Sequence, residues 1–311
     1  MTRFRLLMLV PVLLLPGFAA AQTVAVTMSN TDWTYTRNLA DHIAAALDAE
    51  GVTDVTMMNA AGDRQAQLAA IGDFIAADVD AIIANLLATD DGLRVSRMAA
   101  EAGIPLVYVN LEPINGTALP EGQSYVGSDE TESGTLEFGF VCDRLEGEGS
   151  VSFLIGDLGS SAARVRTQDY YALLETPRCA GIDVMDEGFA NWSRDEGQAL
   201  AASWIEAGRV PDAFVANNDD MALGALDAIQ AAGLDKAEIL VTGIDATEVA
   251  LRAMDDGLLD ATVLQNAGGQ AAAAVEAALA LARGDADVPR LIYVPFELVT
   301  PATRGDLPAT N

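Results

Sequence analysis

Short runs rich in Val, Ile and Leu alternate along this chain with Ala-rich stretches whose apolar residues fall at helical spacing, about every 25 to 30 residues. Nine runs have strand character: 23–28, 52–58, 81–85, 106–110, 150–155, 182–187, 213–217, 239–244 and 261–264. Between them, 38–50, 64–77, 131–145, 198–207, 221–232 and 270–283 carry the helical pattern. A strand that is apolar throughout has no solvent face, so such strands, each followed by a helix, imply parallel sheets covered on both sides. The fold class is α/β. Nine units in 311 residues exceed one compact doubly wound domain, which predicts two sheets.

A 51% apolar composition can fill two cores and excludes a disordered chain. The charge balance, 17 Lys and Arg against 46 Asp and Glu for a formal net of −29, repels phosphate backbones and anionic headgroups. Nucleic acid and membrane surfaces are poor partners for it, and neutral or cationic small ligands stay open. Arg3 and Arg5, an apolar run over 6–15 broken only by Pro11, and the small residues Ala19, Ala20 and Ala21 read as a cleavable secretory signal over 1–21. A membrane anchor needs about 20 apolar residues, and Pro11, Pro16 and Gly17 interrupt this stretch. The mature chain is expected to begin near Gln22, outside the cytoplasm. There Cys142 and Cys179 can pair only with each other. That disulfide would close a loop of about 37 residues, for which chain entropy gives roughly 3 to 4 kcal/mol; two buried thiols are the alternative.

In open parallel sheets, ligands bind outside the carboxyl ends of the strands. The residues there are Asn30 and Asp32, Asn85, Asn110, Asn217 to Asp219, Asp245, and Gln265 with Asn266. Any one of them suits a helix cap. As a set they are dominated by amides and carboxylates, which hydrogen-bond hydroxyl-rich ligands in two directions. Trp33 and Trp192 lie in polar loops after strands, whereas Trp204 belongs to an Ala-rich helix and reads as core. The C–H faces of a sugar ring are apolar, so two tryptophans from opposite domains can sandwich a pyranose.

Several segments resemble one family. Val215-Ala216-Asn217-Asn218-Asp219-Asp220-Met221-Ala222-Leu223-Gly224-Ala225 is similar to the signature of periplasmic sugar-binding proteins of the ribose and galactose/glucose type, the solute receptors of ABC importers. Tyr125-Val126-Gly127-Ser128-Asp129 resembles their first crossover, 156–167 their loop with a ligand-binding arginine, and Gly243-Ile244-Asp245 their aspartate turn. Tyr108 to Pro113 and Thr262 to Ala267 point to the galactose/glucose branch. The resemblance runs from about Val24 to Val299. It implies a type I periplasmic binding fold: two Rossmann-like lobes, residues 22–128 plus 266–294 and 129–265 plus 295–311, joined by three crossover strands with the ligand cleft between them.

Carried onto this sequence, the resemblance makes Trp33 and Trp192 the stacking pair. It gives Asn85, Asn110, Arg164, Asn218, Asp245 and Gln265 hydrogen bonds to the ligand. The polar first-loop ligand falls on Asn30, Thr31 or Asp32, with Asp32 preferred. The function implied is capture of a monosaccharide, hexose or pentose, by a monomeric periplasmic receptor through lobe closure, and delivery to an ABC transporter membrane permease. The alternative is a receptor for a polyol or other small signal that reports to a chemoreceptor or sensor kinase. Leu158 and Ser160 stand where the galactose/glucose branch offers a histidine and an aspartate, which counts against glucose and galactose themselves.

Catalytic readings lack parts. His42 is the single histidine, so triads and zinc sites have no second member. Gly156-Asp157-Leu158-Gly159-Ser160 is not followed by the Lys of a phosphate loop. The segment Leu145-Glu146-Gly147-Glu148-Gly149-Ser150 lacks the alternating oxygen ligands of a calcium loop. Neither enzyme activity, a cofactor nor a structural metal is expected. Regulators of the lactose-repressor type share the two-lobed sensor, but they carry a helix-turn-helix where 1–21 reads as a signal.

Overall fold

The apolar runs become strands and the Ala-rich stretches become helices over residues 22–306, which the computed structural model describes; the expected signal segment 1–21 lies outside them. The chain first runs β1 (Thr23–Met28), α1 (Thr34–Ala49), β2 (Asp54–Asn59), α2 (Arg64–Ala76), β3 (Ala81–Ala84), α3 (Gly92–Ala102), β4 (Leu106–Asn110) and β5 (Gln123–Gly127). It continues through α4 (Glu130–Arg144), β6 (Glu148–Ile155), α5 (Ser161–Leu174), β7 (Gly181–Phe189), α6 (Arg194–Glu206), β8 (Ala213–Ala216), α7 (Asp219–Ala231), β9 (Leu240–Asp245), α8 (Glu248–Asp255) and β10 (Ala261–Gln265). It ends with α9 (Ala267–Ala282), β11 (Leu291–Tyr293) and β12 (Phe296–Val299).

Two six-stranded sheets result, in the orders β11-β5-β4-β3-β1-β2 and β12-β10-β9-β8-β6-β7. All pairings are parallel except that of β10 with β12. The two faces of β1 explain why its sequence shows no alternation. Val24, Val26 and Met28 enter the core under α1 and α9, while Ala25 enters the core under α2 and α3.

The chain changes sheet at three places. β5 ends at Gly127 and α4 packs on the second sheet; β10 ends at Gln265 and α9 packs on the first; β11 and β12 belong to different sheets with Val294 and Pro295 between them. Cys142 of α4 and Cys179, just before β7, are joined by a disulfide with Cα atoms 5.3 Å apart, inside the core of the second lobe.

Three strands escape the sequence pattern. β5 opens on Gln123 and Ser124, both buried polar residues, and β11 and β12 are only three and four residues long. The segment 156–167, expected as a loop, is a loop only to Ser160. The Ser160 hydroxyl accepts the Ala162 N–H and starts α5 there. Among the described residues no helix is long and apolar enough to cross a membrane.

Candidate functional site

The carboxyl ends of both sheets face one another across a small cavity. The first lobe lines it with Ser29, Trp33, Tyr35, Thr36, Asn110 and Leu111, and the opposite side is lined by Ala162, Arg166, Trp192, Asn218, Asp245 and Gln265. The lobes meet around its mouth. Thr34 donates from its N–H and hydroxyl to Asp220 at 3.1 and 2.9 Å, Thr89 donates its N–H to the Gly159 carbonyl at 3.2 Å, and Ser161 donates to the Glu112 carbonyl at 3.1 Å.

Of the residues expected to touch ligand, Trp33, Asn110, Trp192, Asn218, Asp245 and Gln265 line the cavity. Trp33 and Leu111 pack against the core cluster that contains Trp192, so the two tryptophans approach from opposite lobes. The indole of Trp192 lies on Gly156, where a Cβ would stand 2.4 Å from ring carbons. Asn218 accepts the Met221 N–H at 3.0 Å and so caps α7 while facing the cavity. Asn110, Trp192 and Asp245 have φ of 70°, 67° and 126°. Left-handed backbone at a non-glycine residue costs on the order of 1 to 3 kcal/mol and concentrates where function fixes the chain.

Three expected residues are elsewhere. Asp32 is exposed; its N–H donates to Asn30 and its carbonyl accepts from Arg37. Asn85 is fully buried one layer beneath the cavity. Its Oδ1 accepts from the Ser29 hydroxyl at 2.6 Å and the Ser29 N–H at 3.2 Å, and its Nδ2 donates to Asn110 Oδ1 at 3.2 Å. It therefore orients two lining residues.

Arg164 stands at the rim, its side chain 40% exposed. It donates to the Leu158 carbonyl and, across the mouth, to Thr89 Oγ1 at 3.2 Å and Asp90 at 3.5 Å. The arginine inside is Arg166. Residues two positions apart on a helix are about 200° apart around its axis, so once α5 begins at Ser161, Arg164 and Arg166 cannot share a face. Ala162, Arg166 and Tyr170 form the buried stripe. That i, i+4, i+8 spacing is the signal that would have selected Arg166. Ser29, Tyr35, Thr36, Leu111 and Ala162 carried no comparable mark.

Electrostatically, Arg166 is 2% exposed and paired with Glu130 through Nε to Oε2 at 2.8 Å and Nη2 to Oε1 at 3.0 Å. Burial pushes the Asp245 carboxyl well above the usual carboxylate range; Arg166 opposes that shift and the Asp219 charge adds to it. Asp219 is pushed up to about 7 by burial, although Thr262 and Thr247 donate to it. Glu137, deeper and also fully buried, rises to about 8 for the same reason; Tyr170 and Thr242 donate to its two oxygens. Among the described residues no group of His, Cys, Asp and Glu is arranged to hold a metal ion.

A cavity with a carboxylate, a paired guanidinium, amides, hydroxyls and two indoles can grip a small neutral polyhydroxylated ring on its edges and faces. The family model described as "Periplasmic binding protein domain" matches residues 24–286. The Rhizobium meliloti protein named "Putative rhizopine-binding protein" is 44% identical over 296 residues, 94% of each chain. The xylitol-binding protein of Mycolicibacterium smegmatis is 34% identical over 229 residues, 73% of this chain and 63% of that protein. The crystal structure of an ABC transporter solute binding protein from Bacillus halodurans with bound myo-inositol superposes with a TM-score of 0.86 at 33% identity, covering 94% of this chain and 98% of that one.

Proposed function

This chain belongs to the periplasmic binding protein family, and from that premise and the cavity we propose that it is the periplasmic receptor that captures a monosaccharide and delivers it to the membrane permease of an ABC transporter. The observation that carries this reading is the meeting of Trp33 and Trp192, from opposite lobes, in one cavity whose other polar groups suit hydroxyls. Arg166 contributes donors with its charge already balanced by Glu130, so the site favours a neutral ligand over an acidic one. Ligand favours the closed arrangement because only there do both lobes contact it.

The same cavity supports a second reading, a cyclic polyol, because the solved relative at 33% identity holds myo-inositol. A thermal-shift screen of the mature chain against pentoses, hexoses, cyclic and acyclic polyols, amino acids and nucleosides separates these. Stabilisation by a monosaccharide supports the first reading and by a polyol alone the second. Stabilisation only by amino acids or nucleosides removes both.

A further inference from the structure

Arg166 does more than line the cavity. Its guanidinium carbon lies 5.8 Å from the ring centre of Trp192 and 5.9 Å from that of Phe296. Its Nη2 donates to Gln265 Oε1 at 3.4 Å and its Nη1 to the Asn217 carbonyl at 2.7 Å. Glu130, its ion partner, is the first residue of α4, three positions after the end of β5. Gln265 ends β10, and Phe296 begins β12. One side chain thus touches a residue beside each of the three places where the chain changes sheet.

Glu130 holds that side chain. It is buried, it does not line the cavity, and it accepts both Arg166 bonds and the Ser133 hydroxyl at 3.0 Å. A guanidinium has five N–H groups. Glu130 takes two, Gln265 one and the Asn217 carbonyl one, which leaves one on Nη1 for a ligand oxygen. We propose that Glu130 is a positioning residue: it fixes the Arg166 guanidinium so that one donor serves the ligand while the others tie the cavity wall to all three crossings. A ligand that engages Arg166 then acts on the crossings together, through the ion pair and its neighbours.

The test is hydrogen exchange on the ligand-free mature protein. Glu130→Gln is expected to speed exchange at least tenfold at amides 265–267 and 296–297 as well as at the start of α4, with α2 and α3 unchanged. Glu130→Asp, which keeps the charge, is expected to restore part of the protection. A purely local role gives acceleration confined to the first turn of α4, and that result, or no acceleration, overturns the proposal. Should Glu130→Gln fail to fold, the double variant Glu130→Gln with Arg166→Gln removes both charges together; native protection at the second and third crossings in that variant is equally contrary. A calorimetric titration with myo-inositol adds the binding side, which rests on the receptor reading: Glu130→Gln should weaken it at least tenfold. Absence of myo-inositol binding by the native protein bears on the polyol reading alone and leaves the exchange result to decide.

Discussion

The two walls of the cavity are built on different physics. The first lobe presents Ser29, Thr36 and Asn110, neutral groups backed by the buried amide of Asn85. The second side presents Arg166 and Asp245, and Glu130, Glu137 and Asp219 lie buried behind them. Asp91 is the one buried Asp, Glu, His, Lys or Arg of the first lobe among the described residues, and it pairs with Arg64 away from the cavity. Amides need only a hydrogen-bond partner when buried, whereas buried charges need partners in a fixed geometry. The first wall is accordingly a short relay of hydrogen bonds, and the second is a network that reaches the crossings.

If that contrast holds, disturbing the ionic wall should have the largest effects. Arg166→Ala leaves Glu130 buried without its cation, and breaking such a pair costs about 3 to 5 kcal/mol. Denaturant titration should show that loss, and calorimetry a drop in ligand affinity of about a hundredfold, which corresponds to roughly 2.7 kcal/mol.

The next effect is on pH dependence. Glu137 rises from an ordinary 4.5 to about 8 and Asp219 from 3.8 to about 7 in the folded protein. The folded state therefore holds protons that the unfolded state has released, and stability falls as pH rises from about 4 towards about 8. Each group contributes a slope of at most about 1.4 kcal/mol per pH unit. Glu137→Gln should flatten the decline between pH 5 and 8, and an unchanged slope would separate this carboxyl from it.

Smaller changes probe positions rather than charges. Gly156→Ala places a Cβ against the Trp192 ring. It should cost about 1 to 3 kcal/mol through overpacking and weaken binding about tenfold. On the neutral wall, Asn85→Ala orphans the Ser29 and Asn110 partners. A cost of about 1 to 3 kcal/mol in stability follows, without altering the pH slope. Arg164→Ala should do least: an exposed ion pair contributes about 0.2 to 1 kcal/mol, so affinity should change less than about threefold. A loss from Arg164→Ala as large as that from Arg166→Ala would erase the distinction between rim and interior.

How much of this was legible in the sequence depends on the element. The apolar strands and Ala-rich helices mark the two α/β lobes because burial on both faces of β1, β3, β4, β8, β9 and β10 leaves no polar face to confuse the period, whereas the edge strands β2 and β7 carry exposed residues. β5, which opens on two polar residues, and β11 and β12, only three and four residues long, carry no such pattern and owe their pairing to neighbours distant in sequence. Of the cavity-lining residues, Asn110, Asn218, Asp245 and Gln265 stand out in the sequence by their place at strand ends and Trp33 and Trp192 by their place in polar loops. The family resemblance points to Arg164 within a segment that reads as a loop, and the helical phase that turns Arg166 inward exists only once Ser160 caps α5. Asn85 also follows a strand, and its depth beneath the cavity is something that sequence position does not encode. Glu130 reads as an ordinary acidic residue in the first turn of a helix, and only the fold brings it to Arg166.

A crystal structure of the mature protein with whichever screened compound stabilises it most tests these assignments directly. The cavity geometry predicts a polyhydroxylated ring between Trp33 and Trp192, with an oxygen within hydrogen-bonding distance of Arg166 Nη1 and none near Arg164. A ligand held by Arg164 at the rim, or seated outside the space between the two tryptophans, would contradict it.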